Sequence, residues 1–422
     1  MSEFPKRWKS AQLRNLTSKI GSGATPRGGK QAYKKTGIPL IRSMNIHFDG
    51  FHIDGLAYLD KQQAAALKAV TVQAGDVLLN ITGASIGRVT QAPQEMHGAR
   101  VNQHVCIIRP VNGVEPAFVA RYMASPSMQD FIAGENYGVT RQALTKEMIE
   151  NITVPLPAPE EQKLIVSKLD GLLEHSKGAR EDLFCIPRLV ERYKEAILQL
   201  AFRGDLTANW RHCNEKTDAE PWPLPPTWTW GRISDVAEVA SNLIQPSNVA
   251  NLPHIAPNHI ESGIPRLLAY KTVREDGVTS AKHRFFPGQI IYSKIRPYLR
   301  KAVIVDFEGV CSADMYPINA RCDARYLLWW LLSPEFNHLA MEHQGRTVLP
   351  KINQNALYSI LIPVPPRKEQ AEIARRVDMA FKRVDAIKQE VERTAELLDR
   401  LDQVTLTKAF RGELVSSIAG NP

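Results

Sequence analysis

The sequence has 422 residues and a formal net charge of +9, with 53 Lys and Arg against 44 Asp and Glu. This length allows two to four domains with cores of their own, and the basic excess favours a polyanionic partner. The five cysteines are scattered and form no Cys-x-x-Cys pair, which indicates a reducing compartment and predicts no metal site. No apolar run follows the first charges or reaches about 18 residues, so we expect neither a signal peptide nor a membrane span.

Residues 1–155 predict a first domain of mixed α and β structure. Short β-like runs and helical segments lie between glycine and aspartate turn signals. The predicted strands fall at 38–41, 77–81 and 104–108, and the predicted helices at 61–68 and 116–124.

Polar and basic side chains cluster at several places in this domain. The basic segment 23–31 resembles a phosphate loop, but it has one residue too many before its lysine and ends in Gln, so we expect no nucleotide site. It fits a nucleic-acid backbone contact or an ordinary surface turn. Around residues 80–88 and 100–104, Asn, Gln and Arg could contact phosphates or base edges, or lie on a solvated face. The candidates for nucleic-acid contact here are Arg27, Lys30, Arg42, Asn45, Asn80, Arg88, Arg100, Asn102, Gln103 and Arg141.

A stiff Pro155-Leu156-Pro157 connector leads into a first long helix, which is expected to end near Arg203. A linker rich in Pro and Trp follows over residues 207–230 and opens a second domain. The predicted boundaries are 1–155 for the first domain, 156–208 for the first helical segment, 209–363 for the second domain and 364–422 for the second helical segment.

The second domain echoes the first only loosely. Gly288-Gln289-Ile290 resembles Gly75-Asp76-Val77, and segment 293–301 corresponds to 80–88. That segment carries four cations, which favours DNA contact over a solvated turn. The candidates for nucleic-acid contact in this domain are Lys271, Lys294, Arg296, Tyr298, Arg300, Lys301, Arg346 and Lys351.

Between Lys368 and Arg411 the sequence contains neither proline nor glycine. Apolar or small residues recur there at alternating steps of four and three, which is a heptad seam that keeps one stripe of a helix facing a partner helix. Pro366 suits a first helical turn, and Gly412 suits a left-handed C-cap. The seam includes Ile373, Val377, Val384, Ile387, Val391, Leu398 and Leu401.

An internal repeat predicts the partner helix. Glu161-Gln162 recurs as Glu369-Gln370, and Ala201-Phe202-Arg203-Gly204 recurs as Ala409-Phe410-Arg411-Gly412, both at an offset of 208 residues. The same offset carries the seam back onto an apolar stripe of the first helix, so we predict two long helices with a shared seam. The first-helix seam includes Ile165, Leu169, Leu172, Leu183, Val190 and Ile197.

The first helix also contains Pro187, where the second has Ala395. An interior proline removes one backbone hydrogen bond and clashes with the carbonyl four residues earlier, at about 3 kcal/mol. We therefore predict a kink or a break near Ile186.

Catalytic motifs are missing from the sequence: it has no His-Glu-x-x-His, no Gly-x-Ser-x-Gly and no Gly-x-Gly-x-x-Gly opening a helix. The leading hypothesis is a non-catalytic reader of DNA sequence that also serves as an assembly scaffold. The alternatives are a self-contained DNA methyltransferase and a coiled-coil scaffold whose domains bind no nucleic acid.

The arrangement resembles the specificity subunit of type I restriction–modification enzymes over nearly the whole chain. The resemblance is carried by residues 155–157, 161–162 and 200–204, by their partners 208 residues further on, and within the first domain by residues 21–26, 76–87 and 102–105.

The resemblance implies an α+β fold, in which two mixed α/β target-recognition domains are joined by two long antiparallel coiled-coil helices with a pseudo-twofold internal repeat. Each domain would read one half of a split site in double-stranded DNA, and the helices would space the two domains. Two modification subunits, which carry S-adenosylmethionine and methylate adenine, would dock on the helices. Restriction subunits with motor and nuclease activity would join for cleavage. The chain itself would be cytoplasmic, hold no cofactor and catalyse no reaction.

Overall fold

The computed structural model describes residues 4–26, 32–134, 143–342 and 350–415. The chain divides into two compact units, of which the first comprises residues 1–184 and 392–422, and the second residues 185–391. Each unit combines one mixed α/β domain with the start of the long helix that follows it and the end of the other long helix. No helix within the described ranges has the length and apolar character that a bilayer span requires.

The first domain begins with a strand that pairs with the strand before the long helix. Its elements in chain order are β1 (Lys9–Gln12), α1 (Leu13–Leu16), β2 (Thr17–Ser22), β3 (Ile38–Ile41), β4 (Ile46–His47), β5 (Gly50–Phe51), β6 (Ala57–Leu59), α2 (Lys61–Ala66), β7 (Val77–Asn80), β8 (Val89–Gln91), β9 (Arg100–Val101), β10 (Val105–Pro110), α3 (Pro116–Met123), α4 (Pro126–Gly134), α5 (Lys146–Asn151), β11 (Thr153–Leu156) and α6 (Pro159–Phe202). The predicted strands and helices of this domain are therefore present, with ends shifted by a few residues.

Two sheets organise the first domain around its core. An antiparallel sheet has the strand order β2-β10-β7-β8, and a second sheet has the order β6-β3-β9, in which β3 and β9 are parallel. β1 pairs with β11, and β4 pairs with β5 in a short hairpin. β7 is buried at every position because neighbouring strands and α3 cover it.

The second domain repeats this plan with a differently built second sheet. Its elements are α7 (Ala208–Arg211), β12 (Thr229–Arg232), α8 (Ile233–Val236), β13 (Ala237–Val239), β14 (Leu243–Ile244), β15 (Pro253–Ile255), β16 (Lys271–Thr272), β17 (Lys282–Phe285), β18 (Ile290–Ser293), β19 (Ala302–Ile304), β20 (Gly309–Cys311), β21 (Met315–Ala320), α9 (Ala324–Leu331), α10 (Pro334–Glu342), α11 (Gln354–Ser359), β22 (Leu361–Val364) and α12 (Arg367–Phe410). The sheet β13-β21-β18-β19 corresponds to the first domain's β2-β10-β7-β8, and β12 pairs with β22 as β1 does with β11. The five-stranded sheet β14-β17-β20-β15-β16 replaces the first domain's three-stranded sheet.

The Pro- and Trp-rich stretch is packed rather than a free linker, because Leu224 and Trp228 are buried.

In the first unit, the start of α6 lies beside the end of α12. Ile165 of α6 and Leu406 of α12 belong to one apolar core. Arg180 Nη2 donates to Asp399 Oδ1 and to Asp402 Oδ2, both at 2.8 Å. The helices therefore run antiparallel here.

In the second unit, the end of α6 lies beside the start of α12. Leu198 shares the apolar core of the second domain with Ile373 and Val377. Lys388 Nζ donates to Glu191 Oε1 at 3.4 Å. Because each unit pairs the start of one helix with the end of the other, the predicted antiparallel seam is confirmed.

The predicted seam is closed in part. Ile165, Leu169, Val190, Ile373, Val377 and Val384 are buried, and Leu183, Ile197, Val391 and Leu398 are half-buried. Leu172, Ile387 and Leu401 are instead 46%, 46% and 54% exposed, so the seam does not bury them. A groove of about 200 Å³ opens between Leu172 and Leu401 beside the small Ser176. A two-helix pair covers each seam residue from one side only, and short side chains there leave the larger ones in contact with water.

The first long helix is continuous through Pro187. The predicted break is therefore wrong, while the kink stays a prediction. The ring of Pro187 lies on an exposed position of the helix. The cost of the missing hydrogen bond is tolerable in a helix whose ends are held by apolar cores in each unit.

Candidate nucleic-acid interface

Two loops occupy corresponding places in the two domains. Residues 81–88 connect β7 to β8 in the first domain, and residues 294–301 connect β18 to β19 in the second. The second residue of each loop forms an isolated antiparallel bridge, Thr82 with Ala143 and Ile295 with Lys351. The predicted correspondence of these segments therefore holds in three dimensions.

The two loops have a left-handed backbone at the same two positions but different residues there. Gly83 and Gly87 have φ angles of 77° and 87°, whereas Arg296 and Arg300, third and seventh in their loop as the glycines are, both have φ of 47°. A left-handed backbone costs a non-glycine residue roughly 1–2 kcal/mol. Strained positions of this kind cluster at functional sites, so the two arginines make the second loop a candidate functional surface.

The cationic side chains of the second loop differ in how many partners they already have within the protein. The exposed Arg296 side chain has no hydrogen-bond or ion-pair partner among the described residues, and Tyr298 beside it is 47% exposed. Arg300 Nη2 lies 3.8 Å from Glu195 Oε1, a loose contact that a phosphate oxygen could replace. Lys294 Nζ lies 4.9 Å from the centroid of the Tyr316 ring. Arg296 is therefore the cation in this loop that is most available to a ligand.

Other predicted cations of the second domain are less available. Lys301 Nζ donates to the Pro257 carbonyl at 2.7 Å, and burial lowers the pKa of Lys301. This lysine therefore holds the loop against the domain and is a poor candidate for DNA contact. Lys351 Nζ lies 2.9 Å from Asp314 Oδ1, in an exposed ion pair that a phosphate could exchange. Lys271 is exposed on β16.

The corresponding surface of the first domain is a cleft of about 960 Å³. The loop of residues 81–88 supplies most of its lining, including Arg88, which is half-buried and has no side-chain partner in the described part of the chain. Gln103 is exposed, next to His104 on the cleft wall. The cleft is lined by Ser43, Met44, Thr82, Gly83, Ala84, Ser85, Ile86, Arg88, His104 and Ala143. It offers concave space with hydroxyl, imidazole and guanidinium groups, in contrast to the cationic loop of the second domain.

Three predicted contact residues of the first domain are buried and serve the fold. Asn45 Nδ2 donates to the carbonyls of His52 at 2.9 Å and Asp54 at 3.2 Å, and Asn80 Nδ2 donates to the Ser43 carbonyl at 2.9 Å. Asn102 Oδ1 accepts the backbone N–H of His104 at 3.1 Å. The prediction that these asparagines contact DNA is therefore wrong. Asparagine side chains also satisfy turn backbones, and sequence alone does not separate the two uses.

Two predicted arginines of the first domain are similarly committed. Arg100 donates to the carbonyls of Ala64 at 2.9 Å and Ala99 at 3.1 Å, and burial lowers its pKa. Its guanidinium is therefore occupied by the fold, which makes Arg100 a poor candidate for DNA contact. Arg42 donates to the Gly55 carbonyl and lies 5.5 Å from the Tyr33 ring centroid, which leaves it at most partly available. Four further candidates, Arg27, Lys30, Arg141 and Arg346, lie outside the described residues.

The repeated Glu-Gln pair joins each domain to its long helix. Gln162 Oε1 accepts the Glu115 backbone N–H at 2.8 Å, and its Nε2 donates to the Pro157 carbonyl at 2.9 Å. The matching pattern in the second domain is Gln370 with the Asp323 N–H at 2.9 Å and the Pro365 carbonyl at 2.8 Å. The glutamates accept indole N–H groups, Glu161 from Trp8 at 3.1 Å and Glu369 from Trp228 at 3.0 Å. The repeat identifies this pair in the sequence, but only the three-dimensional contacts show that it joins each domain to its helix.

The repeated Ala-Phe-Arg-Gly segment joins each domain to the end of the other long helix. Phe410 packs on Phe118 and Tyr122, with ring centroids 5.3 and 5.2 Å apart. Phe202 packs on Tyr326 and Trp330 at 5.4 and 5.0 Å. A Cβ at Gly412 would lie 2.5 Å from Pro5 Cγ, and one at Gly204 would lie 2.3 Å from Pro225 Cγ, so only glycine fits. Each domain is therefore fixed to both helices by one set of contacts used twice.

Two mixed α/β domains on duplicated long helices, each with an open loop or cleft as a candidate interface, are the arrangement that a protein reading two DNA half-sites requires. The chain matches the type I restriction modification DNA specificity domain over residues 5–180 and 225–397. It therefore belongs to the type I restriction–modification specificity subunits. The chain is a DNA-recognition subunit without catalytic activity of its own, as predicted, and the two alternatives have no support.

Relatives and solved structures agree with this family. The chain is 44% identical to the EcoDI specificity subunit of Escherichia coli over 293 residues, 66% of either chain. It is 24% identical to the EcoKI specificity subunit of E. coli K12, over 98% of this chain and 90% of that one. A chain from a type I restriction–modification complex (TM-score 0.71, 20% identity, 98% and 100% coverage) and the HsdS subunit of Thermoanaerobacter tengcongensis (0.64, 21%, 98% of either chain) share the fold.

Proposed function

We propose that each domain reads one half of a bipartite site in double-stranded DNA, and that the paired helices set the distance between the half-sites. The duplicated domains support two readings by one chain, and the dissimilar loops support two different half-sites. Joining two weak contacts in one chain makes the second contact intramolecular, which raises affinity without any new contact. The length of DNA between the two half-sites is then set by the length of the paired helices α6 and α12.

The observation that carries this proposal is the pair of left-handed arginines, Arg296 and Arg300. The loop holds two guanidinium groups near an exposed tyrosine, at a backbone cost that glycine would avoid. Arginine forms strong bidentate hydrogen bonds with phosphate, and Tyr298 can donate its hydroxyl beside them. In this proposal the second domain is fixed on the DNA backbone by this loop.

The chain acts, in this proposal, with modification subunits that bind S-adenosylmethionine and with restriction subunits, in the cytoplasm. The family supports partners of these two kinds. The methylating partner must take its adenine out of the base stack, so it has to be held beside each half-site. The repeated junctions are suited to that, because they fix each domain to both long helices.

The first test is DNA binding by the assembled complex with its modification subunits. Footprinting should show two protected blocks with an unread gap, whereas one continuous block would contradict the proposal. Arg296→Ala should weaken binding and lower the slope of log K against log salt by about 1, because each lost phosphate contact removes about 0.9 released counterions. Arg321→Ala is the matched control, since Arg321 is an exposed arginine of the same unit that already pairs with Glu238 at 3.1 Å.

The second test changes the helical frame. One heptad is inserted into α6 and one into α12 at matching positions, so that the pairing of seam residues is preserved. Each heptad adds about 10 Å of helix, or about three base pairs of DNA. The unread gap of the footprint should lengthen accordingly. An unchanged gap would show that the helices do not set the spacing.

A further inference from the structure

The β4–β5 hairpin brings together a group of metal-ligating side chains that the cysteine pattern did not predict. His47, Asp49 and His52 each offer one ligand atom, and these atoms all lie within 4.8 Å of one another. We propose that this hairpin binds one divalent transition-metal ion of the Zn²⁺ class. This inference is independent of the proposed DNA contacts.

The spacing between Asp49 and His52 fits a shared ion. His52 Nε2 lies 3.2 Å from Asp49 Oδ1 and 3.3 Å from Oδ2. Two ligands bound to Zn²⁺ at about 2.0–2.1 Å in tetrahedral geometry lie about 3.4 Å apart. The pair therefore has almost the separation that a bound ion requires. No separation in the group exceeds that value by more than about 1.4 Å, which a rotation of one side chain can close.

The ring of His47 is held in a suitable tautomer. Its Nε2 lies 2.9 Å from the Met44 carbonyl oxygen, so this nitrogen carries the proton and donates. The other ring nitrogen, Nδ1, then keeps the lone pair that a metal needs. Histidine ligands in proteins commonly donate their second nitrogen to a carbonyl in this way, which fixes the orientation of the ring.

The hairpin is also fixed at its base. The buried Asn45 side chain donates to the His52 carbonyl at 2.9 Å, and the rings of His47 and His52 stack with centroids 4.0 Å apart. A nitrogen lone pair lies in the plane of its ring, so one of these two nearly parallel rings, 16° apart, turns out of the stack when both bind one ion. Two imidazoles and one carboxylate suit Zn²⁺, Co²⁺ or Ni²⁺, and three protein ligands leave one position open to water.

The test uses the tag-free full-length chain with Cys185→Ser and Cys213→Ser, because these two thiols are not buried and could bind the same ions. Equilibrium dialysis against Zn²⁺ and visible spectroscopy with Co²⁺ should show one saturable ion with tetrahedral bands and no thiolate charge-transfer band. Asp49→Asn and His52→Ala should each weaken that binding by at least about tenfold, since even outer partners of metal ligands contribute 10–100-fold.

The matched control is His338→Ala. His338 Nε2 lies 3.3 Å from Glu342 Oε1, so it forms a histidine–carboxylate pair of the same spacing, with no third ligand among the residues that the structure describes. This variant should bind the ion as the parent does. Asp49→Asn keeps the shape of the side chain, and an unchanged thermal unfolding midpoint confirms that it folds. No saturable binding by the parent, or equal binding by the Asp49 and His52 variants, would overturn the proposal.

Discussion

At the start of α6, Glu161 accepts the indole N–H of Trp8, and at the start of α12, Glu369 accepts that of Trp228. The junctions are thus the same, whereas the loops above them differ in chemistry, with glycines in the first domain and arginines in the second. In the proposed function, contacts that hold a domain to its helices must survive any change of DNA target, while loops that contact the target need not. The contacts between domains and long helices are accordingly alike in the two halves of the chain, whereas the two loops differ in sequence.

The junctions are not equal in burial, which gives the largest expected effect. The Glu369 side chain is 1% exposed and accepts from Thr207, Arg211 and Trp228, whereas the Glu161 side chain is 16% exposed and accepts from Arg7 and Trp8. Removing one member of a buried ionic network costs about 3–5 kcal/mol, and removing a more exposed one about 1–2 kcal/mol. Glu369→Ala should therefore destabilise the chain much more than Glu161→Ala does in urea unfolding followed by tryptophan fluorescence.

Glu160→Ala provides the control for the junction experiment. Glu160 is the exposed neighbour of Glu161 in the same first helical turn, so its loss should change stability by about 0.5 kcal/mol or less. Equal effects of the Glu161 and Glu369 substitutions would show that the difference in burial has no energetic meaning.

The helix ends should, in contrast, behave alike. Phe202 and Phe410 are both buried against two aromatic rings of a domain. Phenylalanine-to-alanine changes in cores cost about 3–5 kcal/mol. Phe202→Ala and Phe410→Ala should each lose about that much, and the two values should agree within about 1 kcal/mol. Phe184→Ala is the control, because Phe184 is 86% exposed.

The frame was predictable from sequence because it is repeated. A constant offset of 208 residues and a heptad pattern over 44-residue helices report packing directly, and the pairing of the two helices followed. Leu172, Ile387 and Leu401 carried the same signal and are exposed, because periodicity shows which face is apolar but not how closely the partner approaches.

The candidate site was less predictable. Asn45, Asn80 and Asn102 have the residue type of DNA contacts, but they satisfy turn backbones, and only the fold shows which carbonyls need donors. His47 and His52 come together because a hairpin folds between them, at a spacing that matches no motif searched for. The left-handed state of Arg296 left no trace in the sequence, apart from its alignment with Gly83.

Exchanging Gly83 and Arg296 tests whether the second loop is less stable than it could be because its arginine contacts DNA. Gly83→Arg has no steric obstacle within 4 Å of a Cβ, so its cost is the left-handed backbone, about 1 kcal/mol. Arg296→Gly should remove similar strain, less the entropy of a flexible glycine, and so leave stability equal or raised by up to about 1 kcal/mol. DNA affinity of the assembled complex should nevertheless fall. A stability loss in Arg296→Gly would show that the arginine supports the fold instead.

The smallest expected effect is on the pH dependence of the free energy of unfolding, and it concerns the second domain. His283 on β17 is buried, and burial together with the charge of Lys294 lowers its pKa, while the thiol of Cys311 opposite it on β20 has its own pKa raised by burial. Between the ordinary histidine pKa of about 6.5 and the lowered folded value, only the unfolded chain takes up the proton. Stability is thus intact above about pH 6.5 and falls as the pH drops below it. His283→Gln should reduce the loss of stability between pH 7.5 and pH 5 in urea unfolding. The same change at the exposed His97 of the first domain should leave the pH dependence as it was. If His283→Gln and the parent lose stability in parallel, the acid sensitivity of the second domain comes from other groups.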